Sequence, residues 1–540
     1  MPSLPDNWSS EWAGLSFPEL SFRILSLFIP TEASQGGIPA QDLEKLIQRS
    51  YATFRHDDTT PLVKTRDREY VLELWHGPTF AFKDVALQFL GNLFEYFLAR
   101  RNAGLAADAK ERHRLTVLGA TSGDTGSAAI AGLRSKKDVE IFILHPKGRV
   151  SPIQEAQMTT VLDGNVHNLA VEGSFDDCQD IVKALFSDAD FNAKHRLGAI
   201  NSINFARILA QIVYYFSAYF QICKQLGVDP SSSASSSNIQ FVVPTGNFGD
   251  VLAGYYAKRM GLPIHGGLVV ATNENDILER FWSSGKYEKA SSEVDVDTEA
   301  SQTAPAAGSS DGAQAQAQAQ VVGGVKATLS PAMDILVSSN FERLLWYIAY
   351  ETLGSDASKA GEQVKSWMDD LKSKGTMQVT AEQLQVAKRD FSAKRVSDGQ
   401  TRDTILRYFT SKSESSYLLD PHTAVGMQAA NWLRDAASSS SPSHNQIVLS
   451  TAHPAKFAEA VTSSLSASGV PFDFERDVLP VEMRGLLQKK RRVEDVHVAD
   501  GQDAGAQNQD TLHKLVRATA KVLDREAAAS AAGGRGTESV

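Results

Sequence analysis

One recurring order constrains this chain more than anything else. A short apolar run is followed by a turn of small residues and then by a helical stretch. LTVLGA (115–120) leads through a Gly-rich turn into SAAIAGLR, and NIQFVVPTG (238–246) leads into NFGDVLAGYYAKRM. VEIFILHP (139–146), NVHNLAV (165–171), GGLVVATN (266–273) and NQIVLSTA (445–452) read as further strands, rich in Val, Ile, Leu and Phe. FDDCQDIVKALFSD and NFARILAQIVYYFSAYFQIC read as helices between them. Alternating strand and helix predicts an α/β fold with parallel sheets and right-handed crossovers. In such sheets ligands lie beyond the carboxyl ends of strands. The residues just after each strand are therefore the ones to read for chemistry.

Length and composition set the outer limits. The 540 residues fit roughly three or four domain-sized units. The apolar share of 42% is that of an ordinary globular chain. A net charge of −10 argues against nucleic acid or an anionic membrane as partner, since both need a positive field. Cys178 and Cys223 are far apart and have no metal-ligand spacing, so neither a disulfide framework nor a metal site is expected. No run approaches ~18 uninterrupted apolar residues, so no transmembrane helix is expected. The start, MPSLPDNWSSEWAGLSF, has neither the basic and apolar regions of a signal peptide nor the composition of a transit peptide, so the expected location is the cytosol. Segments 231–237, 289–322, 438–443, 500–509 and 527–540 are rich in Ser, Ala, Gln, Gly or Asp, and are expected to be surface insertions and a frayed tail.

Five segments carry candidate chemistry. In WHGPTFAFKDVALQFLGNLFEYF (75–97), Lys83 opens an expected amphipathic helix beside Phe80 and Phe82. The helix dipole and an apolar flank both disfavour the ammonium form, as an imine-forming lysine requires. A surface lysine whose stem covers the aromatics is the competing reading. In LGATSGDTGSAAIAG (118–132), Gly123 and Gly126 allow close backbone approach, with Ser122, Thr125 and Ser127 as hydroxyl donors; a locally capped turn explains the same residues. In FVVPTGNFGDVLAGYY, Gly246, Asn247, Phe248, Gly249 and Asp250 form a tight loop sized for a single phosphate, or a turn with Asp250 as helix cap. In IVLSTAHPAKF, Thr451 offers a neutral hydroxyl at a strand end, while His453 reads as structural. In GAINSINFARILAQ, Ser202, Asn204 and Arg207 surround a loop-to-helix junction, where Arg207 suits a phosphate or carboxylate, or is an ordinary helix-face arginine. KKRR (489–492) is expected to be a solvated helix face.

Taken together these segments resemble the threonine synthase family, in its fungal-type branch. The matching stretches are ELWHGPTFAFKDVALQF, GATSGDTGSAAI, GRVSPIQEAQMTTV, GAINSINFARILAQ, PTGNFGDVLAGY, ATNENDILERF, TLSPAMDILVSSNFERLLW, LDPHTAVG and LSTAHPAKF, in this order from about residue 70 to 480. The resemblance implies a fold-type II pyridoxal 5'-phosphate enzyme, with mixed and parallel sheets flanked by helices and the cofactor in an interdomain cleft. It implies that Lys83 bonds the cofactor aldehyde. Gly246, Asn247, Phe248, Gly249 and Asp250 would hold its phosphate, and Thr451 would face the pyridine nitrogen. Ser122, Asp124, Thr125, Ser202, Asn204 and Arg207 would contact the substrate's phosphate or carboxylate. The implied substrate is O-phospho-L-homoserine and the implied product L-threonine. A phospho-lyase or a hydroxyamino-acid dehydratase on the same scaffold is the alternative. No metal, nucleic acid or membrane partner is implied, and the oligomeric state stays open. The expected organisation is an N-terminal helical segment over 1–70, shortened relative to the family, and a large cofactor-binding unit over 71–112 plus 205–485. A smaller α/β unit follows over 113–204, and a C-terminal helix and tail over 486–540.

Overall fold

The computed structural model describes all residues except 33–35, 107–108, 110, 232–237, 290–320, 323, 412–415, 437–443, 467–468, 470, 498–508 and 532–540. Most of the low-complexity segments named above fall outside the described residues. Two that do not are structured. Val321–Val322 pairs with Val325–Lys326 as a short antiparallel ladder, and the Ala-rich stretch from 527 continues a helix, Gln509–Ala531.

Two sheets organise the chain. The larger has six strands in the order Leu62–Arg66, Glu69–Glu73, Asn445–Ser450, Ile239–Pro244, Leu268–Thr272, Phe391–Arg395. Only the first pair is antiparallel; the rest run parallel. The smaller sheet is parallel throughout, in the order Glu494–Val496, Val166–Val171, Val139–Pro146, Leu115–Ala120, Leu197–Gly198. The sequence-read strands are all present, because near-continuous apolar runs suit strands covered on both faces. Ile239–Pro244 is buried at all six positions.

Helix Phe205–Leu226 is the central packing element of the larger sheet. Sixteen of its 22 residues are buried, among them Tyr214, Tyr215 and Phe216. Helix Lys83–Arg101 differs from its expected amphipathic form. Every residue from Lys83 to Asn92 is buried, since this half of the helix lies between the helices of the two sheets. It meets helix Asp124–Leu133 through paired glycines. A Cβ on Gly91 would come within 2.0 Å of the Gly132 carbonyl oxygen, so the backbones touch without side chains between them.

The 489–492 run is not a helix face. Arg492 donates its backbone N–H to the Thr159 carbonyl (2.7 Å) and a guanidinium N–H to the Val166 carbonyl (3.0 Å). The chain must be extended here to enter the edge strand Glu494–Val496. Among the described residues no helix is long and apolar enough to cross a membrane.

Candidate active site

Strands Ile239–Pro244 and Asn445–Ser450 are neighbours and parallel, so their carboxyl ends emerge side by side. Gly246 to Asp250 follow the first, and Thr451 to His453 follow the second. A third segment is laid against the second strand end. Phe82 donates its N–H to the Thr451 carbonyl (2.8 Å), His453 donates to the Phe80 carbonyl (3.1 Å), and Ala81 bridges Ala452. The preceding turn is closed by Asp84, which accepts from both the amide and the hydroxyl of Thr79 at 2.7 Å. These bonds fix the first residue of helix Lys83–Arg101, and Lys83 is only 8% exposed. The surface-lysine reading is thereby excluded.

The surroundings of Lys83 are charged. Its Nζ lies 3.6 Å from Asp124 Oδ2. Lys456, fully buried, reaches Asp124 Oδ1 at 2.9 Å and donates to the Thr79 carbonyl at 2.8 Å. Gln154 also donates to Asp124 Oδ1, at 2.7 Å. Burial pushes the Lys83 ammonium down; Asp124 opposes this, while the charges of Arg207 and Lys456 reinforce it, and the net shift is downward. Burial pushes the Asp124 carboxyl up, but Lys456 and Lys83 overcome it and hold that group well below the usual carboxylate range.

The loop after Ile239–Pro244 is held by its carbonyls. Ser338 donates its hydroxyl to the Gly246 carbonyl (2.7 Å), and Asn340 donates its side-chain amide to the Asn247 carbonyl (2.9 Å). A Cβ on Gly246 would meet Ala332 O and Met333 Cα at 3.0 Å each, so the 331–333 turn requires glycine there. Phe248 takes a left-handed backbone (φ +61°), which sends its ring into the core against Phe341 and Trp282. The loop thus turns its backbone toward the start of helix Gly249–Met260, whose first amides have no partner within the helix. Asp250 is not the helix cap. Its carboxylate accepts from Tyr214 and Tyr215, its Oδ2 is buried without a partner, and burial pushes its pKa up to about 7. A glycine-bounded loop at a helix N-terminus, with a buried lysine whose ammonium form is disfavoured at the neighbouring strand end, fits a phosphate-bearing aldehyde.

The remaining candidates separate into two groups. Arg207 is buried, donates one guanidinium N–H to the Ile200 carbonyl (2.9 Å), and has a buried Nε without a partner; burial pushes its pKa down to about 10. Ser202 shares a hydrogen bond with Ser339 (2.9 Å), and Ser339 donates to Asn247 Oδ1 (3.1 Å), which ties this junction to the glycine loop. Asn204 instead caps helix Phe205–Leu226, accepting from the Ala206 amide at 3.1 Å. In the 121–126 turn the amides of Gly123 and Gly126 are both taken by the Thr121 hydroxyl (3.0 and 2.9 Å), leaving Ser122 and Thr125 half-buried at its rim. His453 is structural as read: its Nδ1 accepts from the Ala455 amide, and burial pushes its pKa down to about 3.

Comparison with known proteins agrees over most of the chain. The family model described as "Pyridoxal-phosphate dependent enzyme" matches residues 54–333, "Threonine synthase N terminus" matches 1–51, and "Threonine synthase, C-terminal" matches 423–506. The threonine synthase of Schizosaccharomyces pombe is 51% identical over 493 residues, covering 91% of this chain and 88% of the relative. The chain belongs to the threonine synthase family. The crystal structure of threonine synthase from yeast superposes with a TM-score of 0.81 at 48% identity, covering 98% of this chain and 92% of that one. The pyridoxal-phosphate-bound threonine synthase of Brucella melitensis gives 0.74 at 37% identity, covering 97% and 92%.

The fold is therefore that of a fold-type II enzyme, and the cofactor of this threonine synthase family member is pyridoxal phosphate. The N-terminal match falls on helices Trp8–Glu11, Phe17–Leu25 and Ala40–Tyr51, which join the main core through Phe17, Ile24 and Leu43. Sequence reasoning did not single out Lys456, Gln154, Ser338 or Asn340. Each is an ordinary polar residue locally. Their signal lay only in the longer stretches HPAKF, SPIQEA and SSNFE, quoted above for their resemblance.

Proposed function

We propose that this threonine synthase family member converts O-phospho-L-homoserine and water to L-threonine and phosphate, with Lys83 as its cofactor lysine. The observation that carries the reading is Lys83 buried where two strand ends meet, in surroundings that push its ammonium form down. When bound, pyridoxal phosphate supplies an electron sink for the substrate carbon next to the amine. The amides of Gly246, Asn247, Phe248, Gly249 and Asp250 would hold its phosphate at the positive end of helix Gly249–Met260. Thr451 would meet the ring nitrogen with a neutral hydroxyl, which has no charge to stabilise a proton there.

Lys83 Nζ would serve as the base at substrate Cα and, after passing that proton on, as the base at Cβ, since both lie within reach of one flexible amine. Arg207, with an unsatisfied guanidinium N–H, binds the substrate's phosphate or carboxylate. Ser122, Thr125 and Ser202 add hydroxyl donors around the same space. Asn204 serves by capping the helix that carries Arg207. Asp124, an acceptor only, repels a phosphate and instead orders the two lysines. Both cysteines are free and buried, which supports a reducing, cytosolic setting.

The test is to measure phosphate and threonine together from phosphohomoserine, and to fix the cofactor with borohydride. Equal amounts of both products and a modified Lys83 peptide are expected, with Lys83→Ala lowering turnover by roughly 10³-fold or more. Release of a 2-oxo acid and ammonia in place of threonine overturns the reaction. Fixation at another lysine overturns the site.

A further inference from the structure

Two lysines and one carboxylate are buried together at the base of this site. Asp124 Oδ1 receives Lys456 at 2.9 Å and Gln154 at 2.7 Å, whereas Asp124 Oδ2 faces Lys83 at 3.6 Å, beyond a good hydrogen bond. Lys456 sits on the short turn Pro454–Phe457, directly after the strand end that carries Thr451, and has no exposed surface. Its other bond, to the Thr79 carbonyl, ties it to the segment that leads into Lys83.

We propose that Lys456 is a positioning residue for Lys83, occupying the Asp124 carboxylate so that Asp124 does not hold Lys83 as an ammonium. This rests on the reading of Lys83 as the cofactor lysine and adds to it the group that sets its protonation. The physical basis is a count of charges. A buried charge is tolerated only with a partner, and one carboxylate pairs fully with one ammonium. Lys456 is the nearer of the two and takes that place. A proton on Lys83 would then be a second, unpaired positive charge beside the buried Arg207. The amine escapes the cost by staying neutral, and its lone pair is free to form the C=N bond to an aldehyde, with water leaving.

The groups acting on this cluster come from five elements. Asp124 belongs to helix Asp124–Leu133, Arg207 to helix Phe205–Leu226, and Lys456, with the neighbouring His453, to the strand end and its turn. Asp84 lies on the helix of Lys83 and is engaged by Thr79. His422, on helix Pro421–Ala436, also lowers the Asp124 carboxyl; its Nδ1 lies 2.9 Å from Asp420 Oδ1 and its Nε2 accepts from the Ala332 amide. Lys456 is the one group among them that both bonds the carboxylate and repels a proton on Lys83.

A purely structural Lys456 would tie its turn to Thr79 without affecting how Lys83 titrates. The two roles are separated by the pH dependence of cofactor attachment. Full-length protein freed of cofactor is given pyridoxal phosphate over a range of pH. Attachment at Lys83 is then read by borohydride fixation and peptide mass, with the melting temperature recorded for each variant. Lys456→Met should move the midpoint up by about one unit or more, so that attachment below the midpoint slows about tenfold. Asp124→Asn should move it down, because Lys456 is then an uncompensated neighbour. The double variant, neutral again, should return to within about half a unit of the parent. Lys456→Arg, which keeps the charge, should stay near the parent. A folded Lys456→Met protein with an unmoved midpoint overturns the proposal, as does a double variant displaced as far as Lys456→Met. Should Lys456→Met not fold, Asp124→Asn decides: no downward shift overturns it. A parent protein that never fixes the cofactor at Lys83 fails a different claim, the identity of the cofactor lysine.

Discussion

Two turns in this molecule share one grammar, an apolar parallel strand followed by small residues and a helix, and end in different roles. In the smaller sheet, the turn after Leu115–Ala120 is closed from within. The Thr121 hydroxyl takes the amides of Gly123 and Gly126, and Asp124 points its carboxylate at two lysines. In the larger sheet, the loop after Ile239–Pro244 is held from outside. Ser338 and Asn340 donate to its carbonyls, and the amides at the start of the next helix have no partner within that helix. The lesson is about which half of the peptide is occupied. A loop held by its carbonyls keeps its donors for an anion, whereas one whose donors are satisfied internally becomes a rigid mount for a side chain.

The comparison breaks most visibly at Gly246. Gly246→Val places a Cβ 3.0 Å from Ala332 O and Met333 Cα, both backbone atoms of a short turn that cannot swing aside. Either the loop or the turn must shift, at a cost of about 1–3 kcal/mol. Pyridoxal-phosphate affinity measured by equilibrium dialysis should fall at least tenfold, with the melting temperature of the cofactor-free protein changing less. Retained affinity would mean that this loop does not carry the phosphate.

Thr121→Val examines the other turn. It keeps the shape but strips the acceptor from two buried amides, each worth about 1–3 kcal/mol when unsatisfied. Here stability should fall first. The denaturation midpoint drops, while cofactor affinity in the folded protein changes less than it does for Gly246→Val. If Thr121→Val loses cofactor as severely as Gly246→Val, the division of labour between the two turns is wrong.

The parts legible in the sequence were those whose cause is local. Val-, Ile- and Leu-rich strands, the turn glycines and a lysine flanked by aromatics each carry their reason within a few residues. What stayed hidden was of two kinds. The hairpin Leu62–Arg66 with Glu69–Glu73 and the edge strand Phe391–Arg395 are interrupted by charges, in LVKTRDREY and FSAKR, and have no clean apolar alternation. Lys456 is a single lysine among small and aromatic neighbours, and it acquires meaning only when folding brings Asp124 to it from the smaller sheet's first helix. A lowered Lys83 pKa was inferred from the helix dipole and an apolar flank; its largest cause is burial, and the charges of Arg207 and Lys456 that add to it come from other elements.

The smallest expected effect is the most discriminating. Ser338 is buried and its hydroxyl bonds the Gly246 carbonyl at 2.7 Å, while the Ser338 amide is itself bonded to the Tyr287 hydroxyl. Ser338→Ala removes one hydrogen bond without adding volume, and a single neutral hydrogen bond is worth about 1 kcal/mol net. If the loop is held by its carbonyls, that loss appears as looser amides and a cofactor dissociation constant raised about fivefold, with the thermal midpoint of the cofactor-free protein moved by only a few degrees. If the loop is instead stiffened by the Phe248 ring in the core, the substitution is silent in cofactor binding, and Phe248→Leu becomes the variant that weakens it. The two outcomes assign the rigidity of the phosphate loop either to its polar ties or to its buried aromatic anchor.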